Sequence, residues 1–374
     1  MAGLSDAQRT AWLRLIRSEN VGPRTFQNLV NHFGGAAAAL DALPDLARRG
    51  GRKIHVCSAA EAEDELAECA RRGVRLLALG EHDYPAILAA TEGAPPLLAV
   101  AGHPNVFQRP MVSIVGARNA SSAGRSFAQR LAHELGGAGW VVVSGLARGI
   151  DAAAHAASVE TGTVAVFAGG LDCLYPPEHA DLASRIVEDG ALVSEMPMGW
   201  QPRGRDFPRR NRIIAAMSLG VVVVEAAMRS GSLITARLAT EIGREVMAAP
   251  GSPLDPRCEG SNSLLREGAT LITRSEHVIE ALGPLIDRGP PPPPSISLAQ
   301  AGAAGFETPA PADDDRARVL ELLGPSPAAI DDLVRQSGAG PRTVQVVLLE
   351  LELAGRLDRR EDGRVALRSV DAFI

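Results

Sequence analysis

A doubly wound α/β domain with a mostly parallel sheet is predicted for the middle of this 374-residue chain by three observations. From residue 111 onward, short apolar runs recur as MVSIVG, WVVVSG, TVAVFAGG, ALVSE, GVVVVEA, REVMAAPG and ATLIT. Near-continuous apolar runs of this kind suit parallel strands covered on both faces. Helical segments alternate with them, which implies right-handed βαβ units. Glycine follows the first three runs, as it must where another backbone or an anion comes close to the end of a strand.

The remaining elements are read in chain order. The length suits two or three domains. Residues 1–80 form a small helical domain: AQRTAWLRLIRS, a break at Gly22 and Pro23, RTFQNLVNHFG, and an amphipathic stretch around EAEDELAECARRG. Within it, ENVGPRTFQNLVNHFG reads either as a helix-hairpin-helix, whose turn amides meet a DNA phosphate, or as an ordinary αα-hairpin. The α/β domain spans 81–287. Residues 288–312 form a Pro- and Ala-rich linker without periodicity, expected to be part extended and part disordered. Residues 313–374 give three helices (DRARVLELLG, AIDDLVRQSG, PRTVQVVLLELELAGRL) and a hairpin, LDRREDGRVAL, which together describe a winged helix. Twelve Asp or Glu against nine Arg in that segment leave docking to a partner as open as duplex binding.

A hydrophobic content of 46% and a mean hydropathy near zero fit a soluble protein, and no apolar run approaches the roughly 18–20 residues of a membrane span. The N-terminus lacks the pattern of a secretory signal, so a cytoplasmic location is expected. Cys57, Cys69, Cys173 and Cys258 are scattered without a metal-binding spacing and are expected to be reduced and mostly buried. The net charge of −6 does not decide against nucleic acid, because phosphate affinity depends on where positive charge sits. Lys53 is the one lysine, so nearly all that charge is guanidinium, which grips phosphate bidentately.

Ligands of a doubly wound sheet bind beyond the carboxyl ends of its strands. Those ends carry Gly116-Ala117-Arg118, Ser144-Gly145 followed by Arg148 and Asp151, and Gly169-Gly170-Leu171-Asp172. The first turn, GARNASSAG, is not GxGxxG, and the second strand ends without the acid that would hold a ribose. A dinucleotide is therefore disfavoured, and no P-loop is present. The densest positive charge is Arg203, Arg205, Arg209, Arg210 and Arg212 around Asp206; pairing of some of these with Glu195 or Glu225 is the structural alternative. Ser230 and Gly231 open a helix after a strand, a site for a phosphate or an internal cap. Aromatics make up 3% of the chain, and Phe207 and Tyr175 are the two placed to pack on a base, or to serve the core. Binding would then rest on phosphates, with strong salt dependence and little sequence preference. The competing reading takes Asp151, Asp172, Glu195 and Glu225 as converging Mg²⁺ ligands of a metal-dependent nuclease or nucleotide hydrolase.

The strings VSIVGARNAS, VVVSGLARGIDAAAHAA, VAVFAGGLDCLYPPEH, LVSEMPMG, FPRRNRIIAAMS and VVVVEAAMRSGSLITARLATEIGREVMAAPG resemble the DNA-processing protein A (DprA/Smf) family over residues 85–285. The N-terminal helices resemble the sterile-alpha-motif-like (SAM-like) module of part of that family, and a C-terminal winged helix is a common appendage. The resemblance implies a Rossmann-like domain that binds single-stranded DNA without catalysis or cofactor and forms a homodimer. It also implies loading of the bacterial recombinase onto incoming DNA during natural transformation. By motif position, Arg118, Ser144, Gly145, Gly169, Gly170, Arg210, Asn211 and Arg212 correspond to the family's positively charged pocket. Gly116, Ala117, Arg148, Phe207, Arg209, Ser230 and Gly231 join them as binding candidates, while Asp151 and His155 brace the loop. The chain departs from the pattern at His179, where many members have Asn, and a nearby lysine of some members has no counterpart, Asp181 lying close by.

Overall fold

The computed structural model describes residues 3–286, 288–289, 311–360 and 363–368; the expected linker at 288–312 lies outside these apart from its ends. Among the described residues, one compact unit falls within Glu65–Pro294, and a second joins Leu4–Asp64 to residues after Ser295. The chain enters the second unit through α1 (Asp6–Arg17), α2 (Pro23–Phe33) and α3 (Ala36–Arg49). Ser5 and Gln8 form a capping box at the start of α1, each side chain accepting from the other's backbone N–H. Pro23 occupies the first position of α2, where its missing N–H costs nothing, and the left-handed Gly34 ends that helix. Trp12 and Phe26 meet edge to face, with centroids 5.0 Å apart, over buried Leu13, Leu29 and Leu43. The next helix is α4 (Ala59–Arg71).

In the α/β unit, β1 (Arg75–Ala78), α5 (Ala86–Ala89) and β2 (Leu97–Gly102) precede β3 (Met111–Gly116), α6 (Ser122–Gly137), β4 (Val141–Ser144), α7 (Ile150–Ser158), β5 (Thr163–Val166), α8 (Ala180–Asp189) and β6 (Ala191–Ser194). The chain then crosses through α9 (Asp206–Ala216) to β7 (Gly220–Val224), α10 (Gly231–Glu241), β8 (Glu245–Ala248), α11 (Glu259–Arg266), β9 (Thr270–Leu271) and α12 (Ser275–Ile286). The nine strands lie in the order β1-β2-β6-β5-β4-β3-β7-β8-β9. All seven predicted runs are strands and pair in parallel. β1 and β2 are additional and antiparallel, β2 pairing with β6. Strand order reverses at β3, with β4 to β6 on one side and β7 to β9 on the other, which opens a crevice between β3 and β7.

Burial on both faces explains the uninterrupted apolar strands. Val112 and Ile114 of β3 pack with Val142, Val222, Leu131, Leu135 and Ile150 under α6 and α7. Ser113 faces the opposite layer and donates to the Ile214 carbonyl of α9 at 2.9 Å. Each fully buried Leu or Ile here contributes roughly 1.5–3 kcal/mol. The four cysteines are buried, and no helix among the described residues is long and apolar enough to cross a membrane.

The chain returns to the second unit in α13 (Asp313–Leu322), α14 (Ile330–Ser337), α15 (Pro341–Leu353) and the hairpin of β10 (Leu357–Arg359) and β11 (Val365–Leu367), in the register Leu357 to Leu367. This is the predicted winged helix. It closes on the N-terminal helices, Asn20 Nδ2 donating to the Leu353 carbonyl at 2.8 Å across 333 residues of chain.

Candidate functional site

A cavity of about 700 Å³ opens at the crevice between β3 and β7. The turn after β3 lends it Gly116, Ala117, Arg118 and Asn119; α9 lends Phe207, Arg210 and Asn211. The opening of α10 lends Arg229, Ser230 and Gly231, and Arg257 completes the rim. A narrower slot beside it is lined by Arg118, Gly145, Arg148, Tyr175 and Phe207.

Close backbone approach builds this geometry. Gly149 has φ +78°, and a Cβ there would stand 2.2 Å from the Ala117 carbonyl, so only glycine lets the β4–α7 loop pass the β3 turn. The buried Asp151 carboxylate steadies that loop by accepting from the N–H groups of Gly145 (3.2 Å) and Ala147 (3.3 Å). Burial nevertheless raises its pKa above the ordinary value. Arg210, 6% exposed, lies behind, donating from Nη1 to the carbonyls of Gly145 (2.6 Å) and Val166 and from Nε to Asn211 Oδ1 (3.2 Å). Burial, outweighing the pull of Asp151 and joined by repulsion from Arg118, lowers its pKa to about 10, so it stays charged at neutral pH. Phe207 sits between Arg118 and Arg210, 5.4 and 5.9 Å from their guanidinium carbons, and meets the half-exposed Tyr175 edge-on at 5.6 Å. At the start of α10, Ser230 accepts from the Ser232 N–H at 3.3 Å, and Asn211 Nδ2 donates to the Gly231 carbonyl at 3.2 Å. No atom lies within 4 Å of a Cβ built on Gly231, so the positive end of the helix dipole meets open space.

The strand-end acids do not converge. Glu225, at φ +51°, accepts from the Ser121 N–H at 2.8 Å and from the Ser121 hydroxyl. It thereby fills the N-terminus of α6, the place where the phosphates of a dinucleotide bind in such folds. Asp172 accepts from the Gly199 N–H at 2.8 Å, and Glu195 pairs with Arg209 at 2.9 Å and with Arg212. Among the described residues, no group of three or more His, Cys, Asp or Glu is placed to hold a metal ion.

Of the predicted binding residues, Gly116, Ala117, Arg118, Phe207, Arg210, Asn211, Ser230 and Gly231 meet in the cavity, and Gly145 and Arg148 in the slot, where Arg148 pairs with Glu178. Gly169 borders a small recess behind Gly145. Gly170 packs under the 197–199 backbone, a Cβ there standing 2.5 Å from the Pro197 carbonyl. Ser144 is wholly buried and donates to the Ile114 carbonyl at 2.6 Å. Arg209 and Arg212 turn to Glu195, Arg212 also donating to the Gly93 carbonyl at 2.6 Å. Sequence reasoning missed Asn119, Arg229 and Arg257. Arg229 adjoins Ser230 in the strand-to-helix turn, which was signal enough; Arg257, bonded to Asp255 through Nη2 at 2.7 Å, has no local pattern to reveal it. His179, the departure from the family pattern, donates from Nδ1 to the Leu146 carbonyl at 2.8 Å.

The family model described as DNA recombination-mediator protein A matches residues 75–283. A DprA-like N-terminal HHH domain matches 6–67, and a DprA winged helix domain matches 303–363. Protein Smf of Escherichia coli is 38% identical over 288 residues, 76% of this chain and 75% of its own. The DNA processing protein DprA of Streptococcus pneumoniae is 44% identical over 52% of this chain and 70% of its own. The X-ray structure of the pneumococcal protein superposes with a TM-score of 0.62 at 32% identity, over 75% of this chain and 99% of that one. DNA processing protein A from Helicobacter pylori, whose structure concerns a unique single-stranded DNA binding mode, superposes with a TM-score of 0.51 at 27% identity, over 57% of this chain and 96% of that one. With its α/β domain, N-terminal helices and winged helix each matched in order, the chain belongs to the DNA-processing protein A (DprA/Smf) family.

Proposed function

We propose that this chain binds single-stranded DNA in the crevice between β3 and β7 and acts as a recombination mediator, protecting incoming single strands and helping to load the bacterial recombinase during natural transformation. The observation that carries the reading is the arginine-rimmed cavity into which α10 directs its positive end, Ser230 capping only the Ser232 N–H: Arg118, Arg229 and Arg257 line it, Arg257 held by Asp255, while Glu225, Asp151 and Asp172 are occupied by main-chain N–H groups. Phosphates would sit against the N-terminus of α10 and the Arg118 guanidinium, and a base would lie along Phe207 and Tyr175 in the adjoining slot, within reach of Arg148. The single-strand binding named for the Helicobacter pylori relative supports single-stranded DNA as the ligand.

The test is fluorescence anisotropy of a labelled oligothymidine and its duplex counterpart across a salt series with Mg²⁺, followed by a gel. Single-strand preference, steep salt dependence and an intact oligonucleotide are expected; a cleaved product would move the protein to the hydrolase class. The mediator step is read separately, as faster recombinase filament formation on single strands. Light scattering at the same concentrations tests the homodimer expected through the α/β domain.

A further inference from the structure

The winged helix holds its third helix in an unusual setting for a DNA reader. α15 carries two apolar stripes. Val344, Val347, Leu348 and Leu351 face the module's own core with Val319, Leu333, Leu357 and Val365. Val346, Leu349 and Leu353 lie on another side, outside that core, and are still at most 6% exposed. Such a helix, apolar on more than one side, is built to be buried between partners. A helix that reads duplex DNA instead offers polar and basic side chains to base edges and phosphates.

Its partner is the N-terminal helical domain, since α15 packs on α2 and α3. A Cβ on Gly50 would lie 2.0 Å from the Glu350 carbonyl and 2.8 Å from Ala354 Cβ. Gly50 has ordinary right-handed helical dihedrals, so nothing in its backbone demands glycine; the close approach of α15 does. The last carbonyls of α15, which no residue of the helix can satisfy, are met in part by Asn20, and Arg356 Nη1 returns a bond to the Gly50 carbonyl at 3.1 Å. Thr25, in the first turn of α2, donates to Glu352 Oε1 at 3.1 Å. At the opposite ends, Arg342 lies near enough to His32 to join burial in lowering the His32 pKa. The two helices are therefore antiparallel, and the Glu352 carboxylate rests at the positive end of α2.

We propose that the two end modules form a closed clasp in which each covers the duplex-DNA surface of the other. The third helix of the winged helix is spent on α2 and α3, and Glu352 stands where a backbone phosphate would approach the Gly22-Pro23 turn. Closed, the end modules contact no duplex; opened, they add a duplex-binding surface distinct from the α/β cavity.

The test uses the full chain as wild type, Gly50→Leu and Leu349→Arg. Gly50→Leu drives a side chain into α15 from a position whose own backbone accepts leucine, so it separates the modules without unfolding either. Hydrogen exchange reports α2, α3 and α15, with unchanged exchange in β3 to β8 as the folding control, and anisotropy reports a labelled duplex. The expected result is lost protection in α15 and a gain in duplex affinity of roughly tenfold or more in both variants. Protection retained in both variants would overturn the docking, and protection lost without any gain in duplex affinity would overturn the masking.

Discussion

Arg118 and Arg210 both line the cavity, but their surroundings assign them different work. Arg118 is exposed and lies over the Phe207 ring, whereas Arg210 is buried and bonded to two main-chain carbonyls. Arg118→Ala should weaken oligothymidine binding and reduce the salt slope by about 0.7, the share of one phosphate contact, with thermal stability unchanged. Arg210→Ala should cost about 3 kcal/mol of stability in urea unfolding, because it strands the buried Asp151 charge and two carbonyls. His155 supplies a pH test. Fully buried, with Nδ1 on Thr163 Oγ1 at 2.9 Å and Nε2 without a partner, it has its pKa lowered from 6.5 to about 3 by burial and then by Arg210 and His179. Between those values only the unfolded chain takes up the proton, so stability is full above about pH 6.5 and falls as pH drops. Between about pH 7 and about pH 5, wild type should lose about 2 kcal/mol more than His155→Gln, read from urea midpoints. The linear sequence revealed the arginine-rich segment but not the direction of each side chain. On α9, Arg209 and Arg212 are three residues apart and share the face toward Glu195, while Arg210 points inward. Such radial placement depends on which helix face the sheet covers.

Among the elements, α10 carries the most direct prediction. Gly231→Asp places a carboxylate at the open end of α10, where the helix dipole welcomes it and no neighbour obstructs it. The fold should be retained, while oligothymidine affinity falls by roughly tenfold or more at moderate salt, because the new charge occupies the phosphate position. The strands of this domain were legible because parallel strands buried on both faces leave uninterrupted Val-rich runs. β1 and β2 were not: RLLA and LLAVAG are short apolar runs that periodicity cannot separate from buried helix, and they pair antiparallel at one edge of the sheet. Arg257 reaches the cavity because the chain returns past β8, a consequence of topology that no local spacing records.

On the scale of the whole molecule, the sequence showed three modules in order along the chain, whereas the structure groups the first and last into one unit. The reason lies in Leu349 and Leu353 of α15, which stand outside the winged helix's own core and are buried on a helix that packs against α2 and α3, a long-range contact that no local pattern records. This arrangement has a consequence for synthesis. Asn20 leaves the ribosome 333 residues ahead of the Leu353 carbonyl it bonds. At about 5–20 residues per second, that interval is roughly 15–70 s, long enough for the α/β domain to complete its sheet while α2 and α3 wait. Ribosome-bound chains stalled before α13 should therefore show N-terminal helices that proteases cut readily, and chains released after β11 should show the same helices resistant. A chain cut short by a premature stop before α13 would keep its arginine-rimmed cavity and display α2 and α3 uncovered, a difference that quality-control proteases can read.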